Sequence, residues 1–522
     1  MARFFNNAGP VKPEIHYTID PLHRVDWEEI SSYIDQQRYF VLHAPRQTGK
    51  TSTLLAMMKA INEKGRYVCA YANIEGAQAA RGNESKGIPA ICNAIARSID
   101  ISLHTGHKTR QWLYQNSSSL PAQDMLSEML AMWAQTSARP AVLLLDEVDA
   151  LVGDTLISLL RQIRSGYAQR PEAFPQSIIL CGVRDVRDYR IHQEGGEIIT
   201  GGSAFNIKAE SLRMGNFTQE EVRALWLQHT QETGQEFEED IFPELWEDTR
   251  GQPWLVNALG YEVTWKNRAA RDRTRKISLT DYFQAREQLI LSRATHLDQL
   301  ADKLREPRVH GVISALLAGE ESVLQVPEDD LQYVADLGLI ERKSGVRISN
   351  RIYREVIPRE LTSVAQDTIS NQETAWYVRA DHSLDISRLL EAFQGFFREH
   401  SEIWEQGFDY KEAAPQLLLQ AFLQRILNGG GRLLREYGLG RKRTDLFLEW
   451  PLDPEQGMYG PLQRVVIELK ILRGDLEKTI QEGLGQTADY ADRAKADEAH
   501  LIIFNRNRKV SWEEKIFQRR ET

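Results

Sequence analysis

Residues 39–61 read YFVLHAPRQTGKTSTLLAMMKAI, and this stretch decides the first fold. Residues 39–43 form a short apolar run rich in β-formers, which predicts a strand buried on both faces. Residues 44–51 fit the pattern G/A-x-x-x-x-G-K-[ST], and the residues after them are strong helix formers. A strand, a tight loop and a helix in that order gather successive backbone N–H groups and a helix N-terminus around one point, which is a cradle for phosphate. Gly49 permits the close backbone approach. Pro45, Arg46, Gln47, Thr48, Gly49, Lys50, Thr51 and Ser52 are therefore candidate phosphate-loop residues, with Lys50 reaching the terminal phosphates and the Thr51 hydroxyl a ligand for Mg²⁺.

The same pattern continues outward. Residues 66–73 and 177–181 read as buried strands, residues 88–99 as a helix, and AVLLL at 141–145 as a strand ending in Asp146-Glu147. Apolar strands alternating with helices predict a parallel sheet covered on both faces, the α/β architecture. Asp146, at a strand end, is placed to hold Mg²⁺ through water, and Glu147 is the candidate general base for an attacking water.

The whole chain of 522 residues is long enough for three or four folding units. Its 42% hydrophobic and 26% charged residues are globular values, and no apolar run reaches the length of a spanning helix, so no membrane role is expected and a cytoplasmic location is. Three separated cysteines, Cys69, Cys92 and Cys181, read as small buried hydrophobes and exclude a disulfide framework or zinc ribbon. The twelve histidines lack zinc-site spacing. A net charge of −10 leaves any nucleic-acid contact to local basic clusters such as Arg432, Arg435, Arg441, Lys442 and Arg443.

From Thr218 the periodicity becomes helical, with Thr218 and Glu221 forming a capping box. The expected boundaries are 1–215 for the phosphate-loop core, 216–275 for a helical lid, 276–362 for a winged-helix-like connector, and 374–522 for a second α/β domain beyond the polar linker 363–373. Trp226, Trp246, Trp254 and Trp265 fall on helical patterns and are expected in the core rather than as stacking platforms.

The second α/β domain carries its own constellation. RKRTDLFLEW at 441–450 opens with Asp445, and VVIELK at 465–470 places Glu468 and Lys470 on one face of a strand with Leu469 on the other. If the two strands pair antiparallel, Asp445 joins that face. Two carboxylates suit hard Mg²⁺ or Mn²⁺, and the Lys470 ammonium is suited to orient water and to stabilise charge on a reacting phosphate. A following helix presents Gln486 and Tyr490 one turn apart, with Glu482 a turn earlier.

Two family resemblances follow from these residues. APRQTGKTS, VLLLDEVD at 142–149, GVRDVRDYR at 182–190 and TRGQPWLVNAL at 249–259 resemble bacterial ATPases of the AAA+/STAND group over about residues 10–270. That resemblance implies ATP and Mg²⁺ as cofactors. It also implies a nucleotide-facing role for Arg184 after the sensor strand, lid contact through Gly251-Gln252-Pro253, and homo-oligomerisation, with Arg161 and Arg164 either reaching a neighbouring subunit or forming a solvated helix face. The chain departs from the group in having no sensor arginine on the last lid helix.

Residues 375–510 resemble PD-(D/E)XK nucleases of the RecB-like branch. Asp445, Glu468 and Lys470 match the catalytic positions and Gln486 and Tyr490 the accessory motif, while Glu436 or Glu412 fills the earlier acidic position, with Glu436 favoured. Together the resemblances imply an ATP-controlled, metal-dependent nuclease acting on DNA, with a role in defence against foreign DNA and an activating protein partner among its possible contacts. The alternative is a signalling switch whose nuclease-like domain only binds nucleic acid or a partner.

Overall fold

The computed structural model describes residues 3–104, 106–183, 190–192, 198–200, 208–292, 300, 302–318, 326–343, 345–361, 377–407, 414–427, 431–439, 442–453, 456–472, 474–505, 510–511 and 519. The chain divides into two compact units. One comprises residues 1–296 and 328–345, the other residues 297–327 and 346–522. The stretch 276–362 is thus shared between them, and the linker 363–373 lies outside the described residues.

In the first unit, five strands form a parallel sheet: β1 (Tyr39–His43), β2 (Val68–Asn73), β3 (Ala141–Asp146), β4 (Ser177–Gly182) and β5 (Lys208–Arg213). Their order across the sheet is β2-β3-β4-β1-β5, every pair parallel. Strand alternation divides the apolar side chains into two cores. Tyr39, Val41, Leu143, Leu145, Ile178 and Leu180 pack on one face, and Phe40, Leu42, Val142, Leu144, Ile179 and Cys181 on the other.

The second of these faces is covered by α1 (Lys50–Lys64), which contributes Leu54, Met57 and Ile61. The first is covered by α2 (Glu84–Ser102), α3 (Ala122–Thr136) and α4 (Gly153–Ser165), which contribute Ile91, Ile95, Met129, Leu156 and Leu160 among others. Burial on both sides explains why the strands read as unbroken apolar runs. All three cysteines are free and buried, as expected.

Four helices follow in the first unit: α5 (Gln219–Thr233), α6 (Ile241–Thr249), α7 (Pro253–Tyr261) and α8 (Leu279–Leu291). The capping box of α5 is formed: Thr218 N–H donates to Glu221 Oε2 at 2.8 Å and Glu221 N–H to Thr218 Oγ1 at 3.2 Å. Trp226 is fully buried against the rings of Phe5, Phe237 and Tyr282. Trp254 is buried and Trp246 half-buried, but Trp265 is 48% exposed. The expectation for Trp265 fails because the helix gives way to a π-turn over Glu262–Lys266, after which Arg271, not the core, covers its ring at 5.0 Å.

The first unit also includes α9 (Glu328–Asp336). Arg213 at the end of β5 donates to the Ala335 carbonyl at 2.8 Å, which ties this helix to the sheet edge beside β1.

The second unit contains α10 (Ile386–Gly407), α11 (Ala414–Leu427), β6 (Arg432–Leu439), β7 (Lys442–Pro451), β8 (Leu462–Ile471), α12 (Leu476–Ala494) and β9 (Glu498–Phe504). The sheet order is β6-β7-β8-β9, with two antiparallel pairings followed by one parallel. Leu446, Leu448, Val465, Ile467 and Leu469 pack with Leu389, Phe393, Leu418 and Leu419 of α10 and α11. Phe447 and Val466 pack on the opposite face with Tyr490 of α12. A side chain at Gly483 would lie 2.6 Å from Leu501, so this glycine lets α12 lie close on β9.

Candidate functional site

The phosphate loop leaves β1 at its C-terminal end, where a parallel sheet collects the loops that bind ligands. Gly49 takes φ +92° and ends the loop at the first turn of α1, and Gln47 also has positive φ. Thr48 is fully buried, its hydroxyl donating to the Pro45 carbonyl at 2.7 Å, while Arg46 is exposed. Lys50 is buried, and its ammonium donates to the carbonyls of Ala44 and Pro45, both at 3.0 Å. Those loop carbonyls hold the cation at the cradle until an anion competes for it. The Ser52 hydroxyl accepts from Val11 N–H at 3.0 Å, so an N-terminal segment crosses the start of α1.

The acidic strand end meets this loop. Asp146, fully buried, accepts from the Thr51 hydroxyl at 2.7 Å and the Tyr71 hydroxyl at 3.0 Å on Oδ2, and from Glu147 N–H at 3.0 Å on Oδ1. An oxygen-only set made by Thr51 and Asp146 fits the donor chemistry of Mg²⁺. Glu147 takes a left-handed backbone, φ 61°, which costs a non-glycine residue about 1 kcal/mol or more and is kept only where the surroundings enforce it. Burial, then the charge of Asp149, pushes its carboxyl above the ordinary value, and Lys50 opposes them. Burial raises the Tyr71 phenol as well, ahead of the Asp146 charge, so Tyr71 remains a donor at neutral pH.

Two further elements, at Gly338 and Arg24, meet the loop, and Gly251-Gln252-Pro253 lies against Phe217. Gly338, at φ +79°, lies so close to Pro45 that a side chain there would come within 2.8 Å of the ring. Gly251 is φ +71° with Phe217 O only 2.0 Å from where a Cβ would stand, so glycine is required. Gln252 caps α7 by accepting from Leu255 N–H, and Pro253 opens that helix in the position where its missing N–H costs nothing. Arg24 donates to the Thr48 carbonyl at 3.1 Å. Neither Arg24 nor Tyr71 is marked by a motif. Tyr71 is visible in the sequence only as a strand residue, and Arg24 only as one charge among many.

Arg161 and Arg164 are both exposed on α4. Arg184 lies outside the described residues, as does Glu412.

In the second unit, the strand register brings the other constellation together. Leu446 pairs with Ile467, and just beyond this pair the Asp445 carboxylate accepts from Leu469 N–H at 2.8 Å. Glu468 is buried beside it, one oxygen accepting from Lys470 Nζ at 3.0 Å. Its other oxygen, Oε2, is buried with no hydrogen-bond partner among the described residues. Burial first, then the Asp445 charge, raises the Glu468 carboxyl, and Lys470 and the Asp445 backbone N–H oppose this. A buried, unsatisfied carboxylate oxygen next to a second carboxylate fits a hard divalent cation, which would satisfy it.

Because Arg435 pairs with Leu446 and Tyr437 with Thr444, Glu436 occupies the register position across from Asp445. Among the described residues no group of three or more His, Cys, Asp or Glu side chains is arranged to hold a metal ion. On α12, Gln486 is exposed and Tyr490 is buried against Phe447 and Val466, on the same sheet face as Glu468.

Residues 34–189 match a family model described as an AAA domain. Solved structures similar to the chain include a Walker-type ATPase of Pyrococcus abyssi, at 16% identity over 68% of this chain and 99% of that one with a TM-score of 0.47. Others are Cdc6p from Pyrobaculum aerophilum, at 16% identity over 68% and 100% with a TM-score of 0.37, and the Thermotoga maritima RuvB Holliday junction branch migration motor, at 12% identity over 64% and 95% with a TM-score of 0.32. No curated protein matches the chain. None of the described helices is long and apolar enough to cross a membrane. With its parallel sheet, phosphate loop and acidic strand end, the segment 34–189 is a P-loop ATPase domain of the AAA type, which binds ATP.

Proposed function

We propose that the chain is an ATP-controlled, divalent-metal-dependent nuclease whose substrate is DNA. The observation that carries the nuclease reading is the buried Glu468 oxygen with no hydrogen-bonding partner among the described residues, beside Asp445 and Lys470 on one sheet face. Burying a carboxylate without full satisfaction costs free energy, and such a cost persists where function uses it.

In the ATPase unit, Lys50 is the residue that would meet the terminal phosphates, and Thr51 and Asp146 would hold Mg²⁺, which would supply neutralisation of phosphate charge. Glu147 accepts the proton of the attacking water, a role that its raised carboxyl favours near neutral pH.

In the second unit, Asp445 and Glu468 would hold Mg²⁺ or Mn²⁺, and the earlier acidic position falls to Glu436, at the register position across from Asp445, or to Glu412. A cation there would supply charge neutralisation and polarise a water. Lys470 orients that water and stabilises the charge that grows on the attacked phosphate. Gln486 is the exposed accessory residue, and Tyr490 fixes the helix that carries it. In this reading 1–215 is the ATPase core, 216–275 its lid, 276–362 a connector and 374–522 the nuclease; the chain works as a homo-oligomer in the cytoplasm, and the pairing of functions suits defence against foreign DNA.

The test is cleavage of linear and circular, single- and double-stranded DNA in Mg²⁺ or Mn²⁺, with and without ATP, beside Lys50→Ala and Lys470→Ala. Cleavage lost in Lys470→Ala, and responsive to ATP only with Lys50 intact, establishes the proposal. ATP turnover without cleavage under every condition removes the nuclease and leaves a nucleotide switch.

A further inference from the structure

We infer that Arg24 is a positioning residue that joins the phosphate loop to the hinge of the helical lid, so that nucleotide held by the loop is transmitted to the lid through one guanidinium. The inference rests on the nucleotide-binding reading of the loop and adds a residue outside its motif.

Arg24 closes the short helical turn Pro21–Arg24 and is half-buried. Its Nη1 donates to the carbonyl of Thr48, the buried residue before Gly49, at 3.1 Å. A Cβ on Gly49 would stand 3.6 Å from the same nitrogen, so the guanidinium lies directly against the loop's turn. Its Nη2 donates to the Gly215 carbonyl, in the connection between β5 and α5. Its Cζ lies 4.5 Å from the centre of the Phe217 ring, two residues further on.

Phe217 passes the contact to the lid. Its N–H donates to the Gly251 carbonyl at 2.9 Å, and the 2.0 Å separation between Phe217 O and a Cβ built at Gly251 shows that the two backbones touch. Gly251 leads directly into Gln252 and Pro253, where α7 begins. The path from Thr48 to α7 therefore runs through one side chain, one aromatic ring and one backbone hydrogen bond, with no gap.

The residue type fits this task. A planar guanidinium carries donors in a rigid fork and can stack on a ring while bridging two carbonyls; an ammonium has the charge but not the shape. Burial lowers the Arg24 pKa to about 10 against the opposing charge of Glu221, so it stays cationic at neutral pH. That charge stands behind a loop built to receive an anion, and the fork reports any movement of the Thr48 carbonyl to Gly215 and Phe217.

The test uses the full chain, with wild type, Arg24→Lys and Arg24→Ala compared for binding of a fluorescent ATP analogue and for amide hydrogen exchange at residues 249–261. ATP at saturation should slow exchange there in wild type. Arg24→Lys should bind the analogue within about fivefold of wild type, a loss on the scale of one hydrogen bond, yet show at most a third of the ATP-induced slowing. Unchanged exchange in β1, β3 and β4 confirms that each variant is folded. Full slowing in both variants overturns the inference. Loss of all nucleotide binding in folded Arg24→Lys overturns it too, because Arg24 would then act on the nucleotide rather than as a link. If wild type itself binds no analogue, the nucleotide-binding reading is what fails.

Discussion

The strand end at Asp146 and the strand pair at Asp445 and Glu468 each bring a lysine and carboxylates together on a sheet, yet they satisfy their charges differently. Asp146 has a hydrogen-bond donor on both oxygens, from Thr51, Tyr71 and the Glu147 backbone. Glu468 has one oxygen paired to Lys470 and the other buried with no partner among the described residues. A satisfied carboxylate is organised before its cation arrives, whereas an unsatisfied one gains its full set of contacts only with the cation. In the proposed reading the first site exchanges ligands around a constant frame, and the second is the one that a metal would complete.

The largest test of this contrast is Lys50→Ala. It should weaken ATP binding by about 100-fold or more, as expected when a charge-assisted phosphate contact is lost, while calorimetric Mn²⁺ binding at the second unit stays as in wild type. Loss of both would break the separation of the two sites.

Next in size is the pair Lys470→Met and Glu468→Gln, followed by thermal unfolding in chelator. Lys470→Met leaves the buried Glu468 charge unpaired and should destabilise its unit by about 1–2 kcal/mol, a range discounted because Lys470 is 31% exposed. Glu468→Gln removes the charge and should be neutral or stabilising in chelator, but should abolish stabilisation by Mn²⁺. If Glu468→Gln destabilises in chelator, the second site is already satisfied and the contrast fails.

A pH profile of ATP turnover sharpens the comparison further. Glu147 works as a base only when ionised, and its carboxyl is raised by burial and by Asp149. Turnover should therefore fall as pH drops through a value above that of an ordinary glutamate, and rise to a plateau at higher pH. Asp149→Asn removes one of the raising charges and should move that acid limb downward; an unmoved limb would assign the titration elsewhere.

The smallest effect is expected for Tyr71→Phe. It removes one of the donors to Asp146, worth about 1 kcal/mol, and should raise the Mg²⁺ concentration needed for tight ATP-analogue binding by about fivefold. Affinity in chelator should not change. An equal loss with and without Mg²⁺ would show that Tyr71 supports the loop rather than the carboxylate.

Much of the first unit is legible in one dimension because its signals are local. A strand buried on both faces is an apolar run, a phosphate loop is a short motif between strand and helix, and the capping box of α5 lies within four residues. The second unit is less legible. Asp445, Glu468 and Lys470 stand out by residue type and alternation, but β6 is not expected, because RLLREYGL mixes charged and apolar residues without a clean period of two and becomes a strand only through its ladder with β7. The same ladder sets Glu436 across from Asp445, which no spacing along the chain could do. Trp265 shows a different failure: the helix continues to Lys266, but as a π-helix from Glu262, which shifts Trp265 off the face that a period of 3.6 assigns it.

What the sequence by itself determined is the chemistry available at each site: the phosphate loop, the acid pair at 146–147, and the Asp445, Glu468 and Lys470 set. Only the tertiary structure decided which groups satisfy them. Tyr71 reaches Asp146 because β2 lies beside β3, Asp445 reaches Leu469 because β7 runs antiparallel to β8, and Arg24 joins Thr48 to Phe217 because residues far apart in the chain converge at the end of β1. Those contacts depend on distances in space between residues of ordinary type, and a hydrogen bond or a ring contact leaves no periodicity in the sequence that makes it.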